Sequence, residues 1–168
     1  PTPTPTVASW SGTKQLGTPD QDNATSITSD SSGNLYVTGN TTGGLDGNTS
    51  AGGNDLFVLK YNSSGVKQWT QQLGTFHEDH ARDIATDSSG NVYVTGSTWG
   101  GLDGNTNAGG DDLFVVKYDS DGIKQWTQQL GTYTSDEARG ISTDLSGDAY
   151  VTGYTQGDLD GNTHTGGK

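Results

Sequence analysis

The sequence predicts an all-β chain of four-stranded antiparallel meanders, and three observations carry that reading. Nearly the same text recurs every 57 residues, with Gly33, Gly90 and Gly147 at equivalent places. Short runs of Val, Tyr, Phe and Trp, such as GNVYVTG and LFVVKY, alternate with clusters of Gly, Asp, Asn, Ser and Thr, which is the pattern of strands joined by turns. Helix-forming stretches are scarce, and a hydrophobic share of 27% is too small for the core of an ordinary helical domain. Low hydrophobicity with a net charge of −12 also suits disorder. Aromatic and β-branched residues at fixed register argue against it beyond the first few residues.

In chain order, PTPTPT opens residues 1–7, a segment that favours extended polyproline II and reads as a tether. Residues 8–18 match the later KQWTQQLGT text, with Leu16, Leu73 and Leu130 aligned, and read as the fourth strand of a preceding unit. Full repeats follow at 19–75 and 76–132, and a partial one at 133–168. Within the second, strands are expected at Ala81–Asp87, Asn91–Thr98, Leu113–Tyr118 and Ile123–Leu130, with Gly90 supplying a left-handed turn. Four meandering antiparallel strands per repeat make a propeller blade, whose common period is about 40 to 50 residues. The surplus here lies in the loop from Trp99 to Asp111. Ile27, Ile84 and Ile141, with Tyr36, Tyr93 and Tyr150, are expected in the core between blades, and Trp69 and Trp126 as packing on the outer strand.

The set GNVYVTG, GGDDLFVVKYDSDG, KQWTQQLGT and DEARGI resembles the bacterial SBBP-type β-propeller repeat over essentially the whole chain after the tether. The resemblance implies a propeller fold in secreted or surface proteins, generally without an assigned enzymatic activity. Closed propellers use about 4 to 8 blades. With two complete repeats and two partial ones, the expectation is an incomplete propeller in one chain.

Eight Lys and Arg against twenty Asp and Glu leave no basic cluster to neutralise phosphates, which argues against nucleic acid and anionic membranes as partners. No apolar run has the length of a membrane span. The absence of cysteine excludes disulfides and thiolate metal sites. An acidic, Cys-free, Thr- and Asn-rich repeat leans towards an extracellular or cell-surface location. The lack of Met implies a processed chain or a piece of a longer one.

The strongest chemical signal is LDGNT, which occurs three times. Alternating oxygen side chains in a Gly-rich turn can converge on calcium, which takes about 6 to 8 oxygens. The candidates are Asp46, Asn48, Ser50 and Asp55 in the first copy; Asp103, Asn105, Asn107, Asp111 and Asp112 in the second; and Asp160 and Asn162 in the third. The same residues are also default turn formers. Asp22, Asp79 and Asp136 precede the inner strands and read as turn caps, with Arg82 and Arg139 as their candidate ion-pair partners. His77 and His80 are three apart on a loop, unlike a helical zinc motif, and read as an exposed turn. No nucleophile and base can be paired, so an enzyme is not expected. Trp99 and Tyr154, where second strands enter long loops, are candidates for stacking on a sugar. Trp10, Leu16, Tyr150 and Val151 mark incomplete blade edges, through which copies are expected to join head to tail into a ring, tube or filament.

Overall fold

Alternation with a period of two, broken by Asp-led turns, folds each copy into a meander. The computed structural model describes Trp10 and residues 12–165, so the expected tether lies outside the described residues. β1 (Asp22–Ser29), β2 (Leu35–Thr41), β3 (Asp55–Tyr61) and β4 (Lys67–Leu73) form the first sheet, blade 1. β5 (Asp79–Thr86), β6 (Val92–Thr98), β7 (Asp112–Tyr118) and β8 (Lys124–Leu130) form blade 2 in the same order. β9 (Asp136–Thr143) and β10 (Ala149–Thr155) pair as a hairpin equivalent to the inner half of a third blade.

The tight turns repeat one design. Asp30 accepts the backbone N–H groups of Ser32 and Asn34 on one oxygen, and the Tyr36 hydroxyl at 3.0 Å on the other. Gly33 closes the turn at φ +77, a conformation that other residues adopt only at a cost. Asp87 with Tyr93 and Asp144 with Tyr150 do the same. Burial opposes ionisation of Asp30 and Asp87, yet these donors outweigh it and hold both carboxyls below the usual range.

Packing between blades supplies the core. Tyr36, Leu56 and Val58 of blade 1 meet Ile84, Val92, Val94, Phe114, Val116 and Tyr118 of blade 2, with Trp69 and Leu73 along the margin. Trp69 wedges between Tyr36 of its own blade and Tyr118 of the next, with ring centroids 6.0 and 6.5 Å away, and its indole N–H donates to the Ser120 carbonyl at 3.2 Å. A Cβ on Gly122 would lie 2.7 Å from that ring, so the turn must be glycine for contact as well as for its φ of +83. The inner strands are stitched at the repeat period. The Thr86 hydroxyl donates to the Ser29 carbonyl, and that of Thr143 to the Thr86 carbonyl. Asp83 accepts from the Ser26 hydroxyl at 2.7 Å and the Ile141 N–H at 2.9 Å.

Three expectations require correction. Residues 12–18 form no strand, because a fourth strand is defined by its ladder to a third and no described residue supplies one. Trp10 nevertheless takes the equivalent seat to Trp69, edge-on to Tyr61 at 5.1 Å and beside Gly65. Ile27 is 62% exposed whereas Ile84 is 4% exposed, and Tyr150 is 59% exposed whereas Tyr93 is 1% exposed. Each exposed member lies on a face that no described blade covers.

The seat of Trp126 is half complete: it packs on Tyr93 at 6.1 Å and remains 37% exposed. Trp69→Ala is therefore expected to cost about 3 kcal/mol of folding stability. The same change at Trp126 should cost roughly half as much, because it removes one contact instead of two. Urea unfolding of the two variants compares them directly.

Candidate functional site

The surfaces with chemistry are the junctions between blades, where each long loop closes on its own outer strand and on the next blade. In the first copy, Asp46 adopts a left-handed φ of +57 and pairs with Lys67 of β4. That ammonium holds the Asp46 carboxyl below its usual range. Asn48 turns its amide nitrogen to the Leu45 carbonyl at 2.8 Å, and the Ser50 hydroxyl donates to the Gly52 carbonyl. Gln72 of β4 fills the loop: its side-chain carbonyl accepts the Leu45 N–H at 2.9 Å, and its amide donates to the Gly43 carbonyl and to Asp55 at 2.7 Å.

The second copy repeats these contacts with Asp103 on Lys124, Asn105 on Leu102, and Gln129 on Leu102, Gly100 and Asp112. Asn107 departs from Ser50 by bridging to Gly109 and Gly110. In the third copy Asp160 is again left-handed, and Asn162 donates to the Leu159 carbonyl. The side chains expected to face a cation thus engage the protein itself. Among the described residues no three His, Cys, Asp or Glu side chains gather as a metal set.

The end of each loop meets the next blade. Gly52 lies so close to Phe76 that a Cβ would come within 2.4 Å of its backbone, and Gly109 stands in the same relation to Tyr133. The Asp79 N–H donates to the Asn54 carbonyl at 2.7 Å, and the Asp136 N–H to the Asp111 carbonyl at 2.7 Å. Asp22, Asp79 and Asp136 cap the LGT turns, accepting from the N–H and hydroxyl of Thr18, Thr75 and Thr132. Asp55, Asp79, Asp112 and Asp136 are all buried, and one oxygen each of Asp55, Asp112 and Asp136 has no hydrogen-bond partner. Burial, with the nearby charge of Asp55, pushes the Asp79 carboxyl above its ordinary value, against the hydroxyls and N–H that favour its charged form.

Arg82 and Arg139 do not reach the buried caps. Both instead approach Glu137, at 3.8 and 3.5 Å, while the caps are buried and take their donors from the threonines of their own turns. Tyr154 donates to Glu137 at 3.1 Å and carries the Arg139 guanidinium 4.7 Å above its ring. Trp99 is 57% exposed, and its indole lies beside the carboxyl of Asp111. Burial, together with the charge of Glu137, pushes that carboxyl up. His80 begins within β5 and faces Glu78 at 3.8 Å, and His77 stacks edge-on to Phe76. Of the edge residues, Trp10 and Leu16 flank blade 1, while Tyr150 and Val151 lie on β10.

Sequence reasoning missed Gln72, Gln129, Lys67 and Lys124 as the braces of the loops. Their recurrence 57 residues apart was the available signal. Glu137 occurs in one copy only and gave no such signal.

Stacked four-stranded meanders stitched along their inner strands define a β-propeller repeat protein. A family profile described as the SBBP β-propeller repeat matches residues 12–46, 68–103 and 125–167, and the chain belongs to that family. It is similar to the regulatory protein FlaEY of Caulobacter vibrioides, with 31% identity over 147 residues, covering 79% of this chain and 15% of that protein. It is also similar to the uncharacterized WD repeat-containing protein L264 of Acanthamoeba polyphaga mimivirus, with 29% identity over 134 residues, 68% of this chain and 9% of that one. The chain therefore spans only a small part of the length of these relatives.

Asp79 generates a pH prediction. Its folded pKa lies above the ordinary 3.8, so its contribution to stability is full below 3.8 and is lost as pH rises through the raised value. Asp79→Asn removes that slope. It also lowers stability throughout, since an amide cannot accept from Thr75 and Thr98 alike. Urea unfolding of both proteins from pH 3 to pH 7 should show a smaller decline with rising pH in the variant.

Proposed function

We propose that the chain is a structural repeat unit without enzymatic activity, which stacks blades head to tail with further copies of itself outside the cell or on its surface. One observation carries the reading. The face of blade 1 that no described blade covers presents Ile27, Leu35, Val37, Phe57, Leu59 and Tyr61 around a recess of about 370 Å3. These are the counterparts of Ile84, Val92, Val94, Phe114, Val116 and Tyr118, which blade 1 itself buries on blade 2. An apolar sheet face of this kind is stabilised by about 25 cal/mol for each Å2 withdrawn from water. The other end offers the matching face: Tyr150 stands on β10 where Tyr36 and Tyr93 stand on β2 and β6, whereas Val151, next in the strand, turns to the opposite face toward Leu113 of blade 2. Such a heterologous contact generates rings or filaments.

The expected result is a concentration-dependent rise in mass by light scattering, with rings or fibres in electron micrographs. Ile27→Asp should suppress it, and because Ile27 is exposed the variant should still fold. A wild-type chain that stays a monodisperse monomer overturns self-assembly.

Calcium bracing belongs to the same proposal in a restricted form. A cation at the LDGNT loops would have to take Asp46 and Asp103 from Lys67 and Lys124. Thermal melting with calcium and with chelator tests it, and Lys67→Gln should enlarge the shift by freeing Asp46. Equal melting temperatures in both conditions remove calcium from the proposal and leave the stacking of blades untouched.

A further inference from the structure

Several departures from the repeat fall at one place. Trp99 replaces the Thr42 and Gln156 of the other copies, Asp111 replaces Asn54, Glu137 replaces Asn23 and His80, and Tyr154 replaces Asn40 and Ser97. These four positions, distant in sequence, meet at one end of the junction between blades 2 and 3. The only two arginines of the sequence, Arg82 and Arg139, converge there on Glu137.

We propose that this end of the junction is a binding site for a neutral carbohydrate. Trp99 is the stacking platform, and Asp111, Glu137 and the two arginines are the groups that meet its hydroxyls. The inference is independent of blade-to-blade assembly.

Three features point to this chemistry. Trp99 is 57% exposed, unlike Trp69 of the same protein, which is wedged between rings. An open indole presents a broad apolar face with a polar edge, which suits the C–H face of a pyranose. Its edge lies beside the Asp111 carboxyl, placing an acceptor next to the platform. Second, two guanidiniums and two carboxylates balance in charge within a chain of net charge −12. A balanced set with many donors and many acceptors favours a polyhydroxylated neutral ligand over an ion, because each hydroxyl both donates and accepts. Third, the polar groups are held in place before any ligand arrives. Glu137 accepts from Tyr154 at 3.1 Å, and Arg139 lies over the Tyr154 ring at 4.7 Å, which reduces the ordering cost of binding. The junction between blades 1 and 2 has Thr42 and Asn54 in place of Trp99 and Asp111, and so lacks both platform and acceptor. One site per chain is expected.

The test is titration of the chain with cellotriose, maltotriose, mannotriose and triacetylchitotriose by calorimetry and tryptophan fluorescence, with trigalacturonate as the charged comparison. At least one neutral trisaccharide should bind with one site per chain. Trp99→Ala should weaken it about tenfold, the size of loss expected when a stacked aromatic is removed. Glu137→Gln should weaken it, and Thr42→Ala should leave it unchanged. Trp99→Phe keeps a ring and should restore part of the affinity, which separates loss of the platform from loss of fold. Failure of all four neutral sugars, stronger binding of trigalacturonate, or undiminished binding by Trp99→Ala overturns the proposal.

Discussion

Every blade in this chain is a thin sheet with two apolar faces, and it is stable only where both are covered. That constraint sets the rest of the structure. Blade 2 has neighbours on both sides: it buries Val92, Val94, Phe114 and Val116 completely against blade 1, and Tyr93 against Ile141 of the third blade. Blade 1 has one described neighbour, and its other face leaves Ile27 open. The tryptophan wedge follows the same logic at the margin, because an indole long enough to reach from one outer strand to the next turn seals the rim of the junction. Glycine at 65 and 122 follows from the wedge, since the rings of Trp10 and Trp69 occupy the space a side chain would need.

The loops meet a different constraint, which is how an acidic chain buries carboxylates with few cations. Asp79 is covered by donors from Thr75 and Thr98, and Asp55 by Ala51 and Gln72. Hydroxyls, amides and backbone N–H groups replace lysine and arginine as partners. Among the described residues lysine pairs with a carboxylate only at the partly exposed Asp46 and Asp103, where solvent screening makes an ion pair worth little and its role is to fix the loop. The buried carboxylate oxygen of Asp55 or Asp112 that has no donor sits instead where a Cβ on Gly74 or Gly131 would stand.

Strands, turns and the stacking residues were legible because they recur with a period of two inside a period of 57. The turn glycines and the tyrosines beside them follow from local rules that need only a few neighbouring residues. The braces were not legible, because Gln72 reaches back 27 residues to Leu45 and no local pattern records that distance. The LDGNT loop was ambiguous for a related reason. Oxygen-rich spacing is common to cation loops and Asx turns, and only the partner decides between them; here Lys67 and two carbonyls are the partners. Exposure of Ile27 and Tyr150 was invisible because burial depends on a neighbour, not on the residue.

Repetition also divides structure from chemistry. A feature present in every copy, such as the Asp30, Asp87 and Asp144 turns, must serve something every blade needs, and stability is what all blades need alike. A feature present once is free of that demand. Glu137, Tyr154, Asp111 and Trp99 each replace a residue that serves the same strand position elsewhere, so the blade does not require them. Burial leaves Asp111 with a raised carboxyl pKa, a cost to folding near neutral pH that a packing role would not incur, while Trp99 at 57% exposed gains little from packing. Groups that the other blades do without, and that gather from four separate segments into one balanced cluster, are better explained by what they face than by what they support.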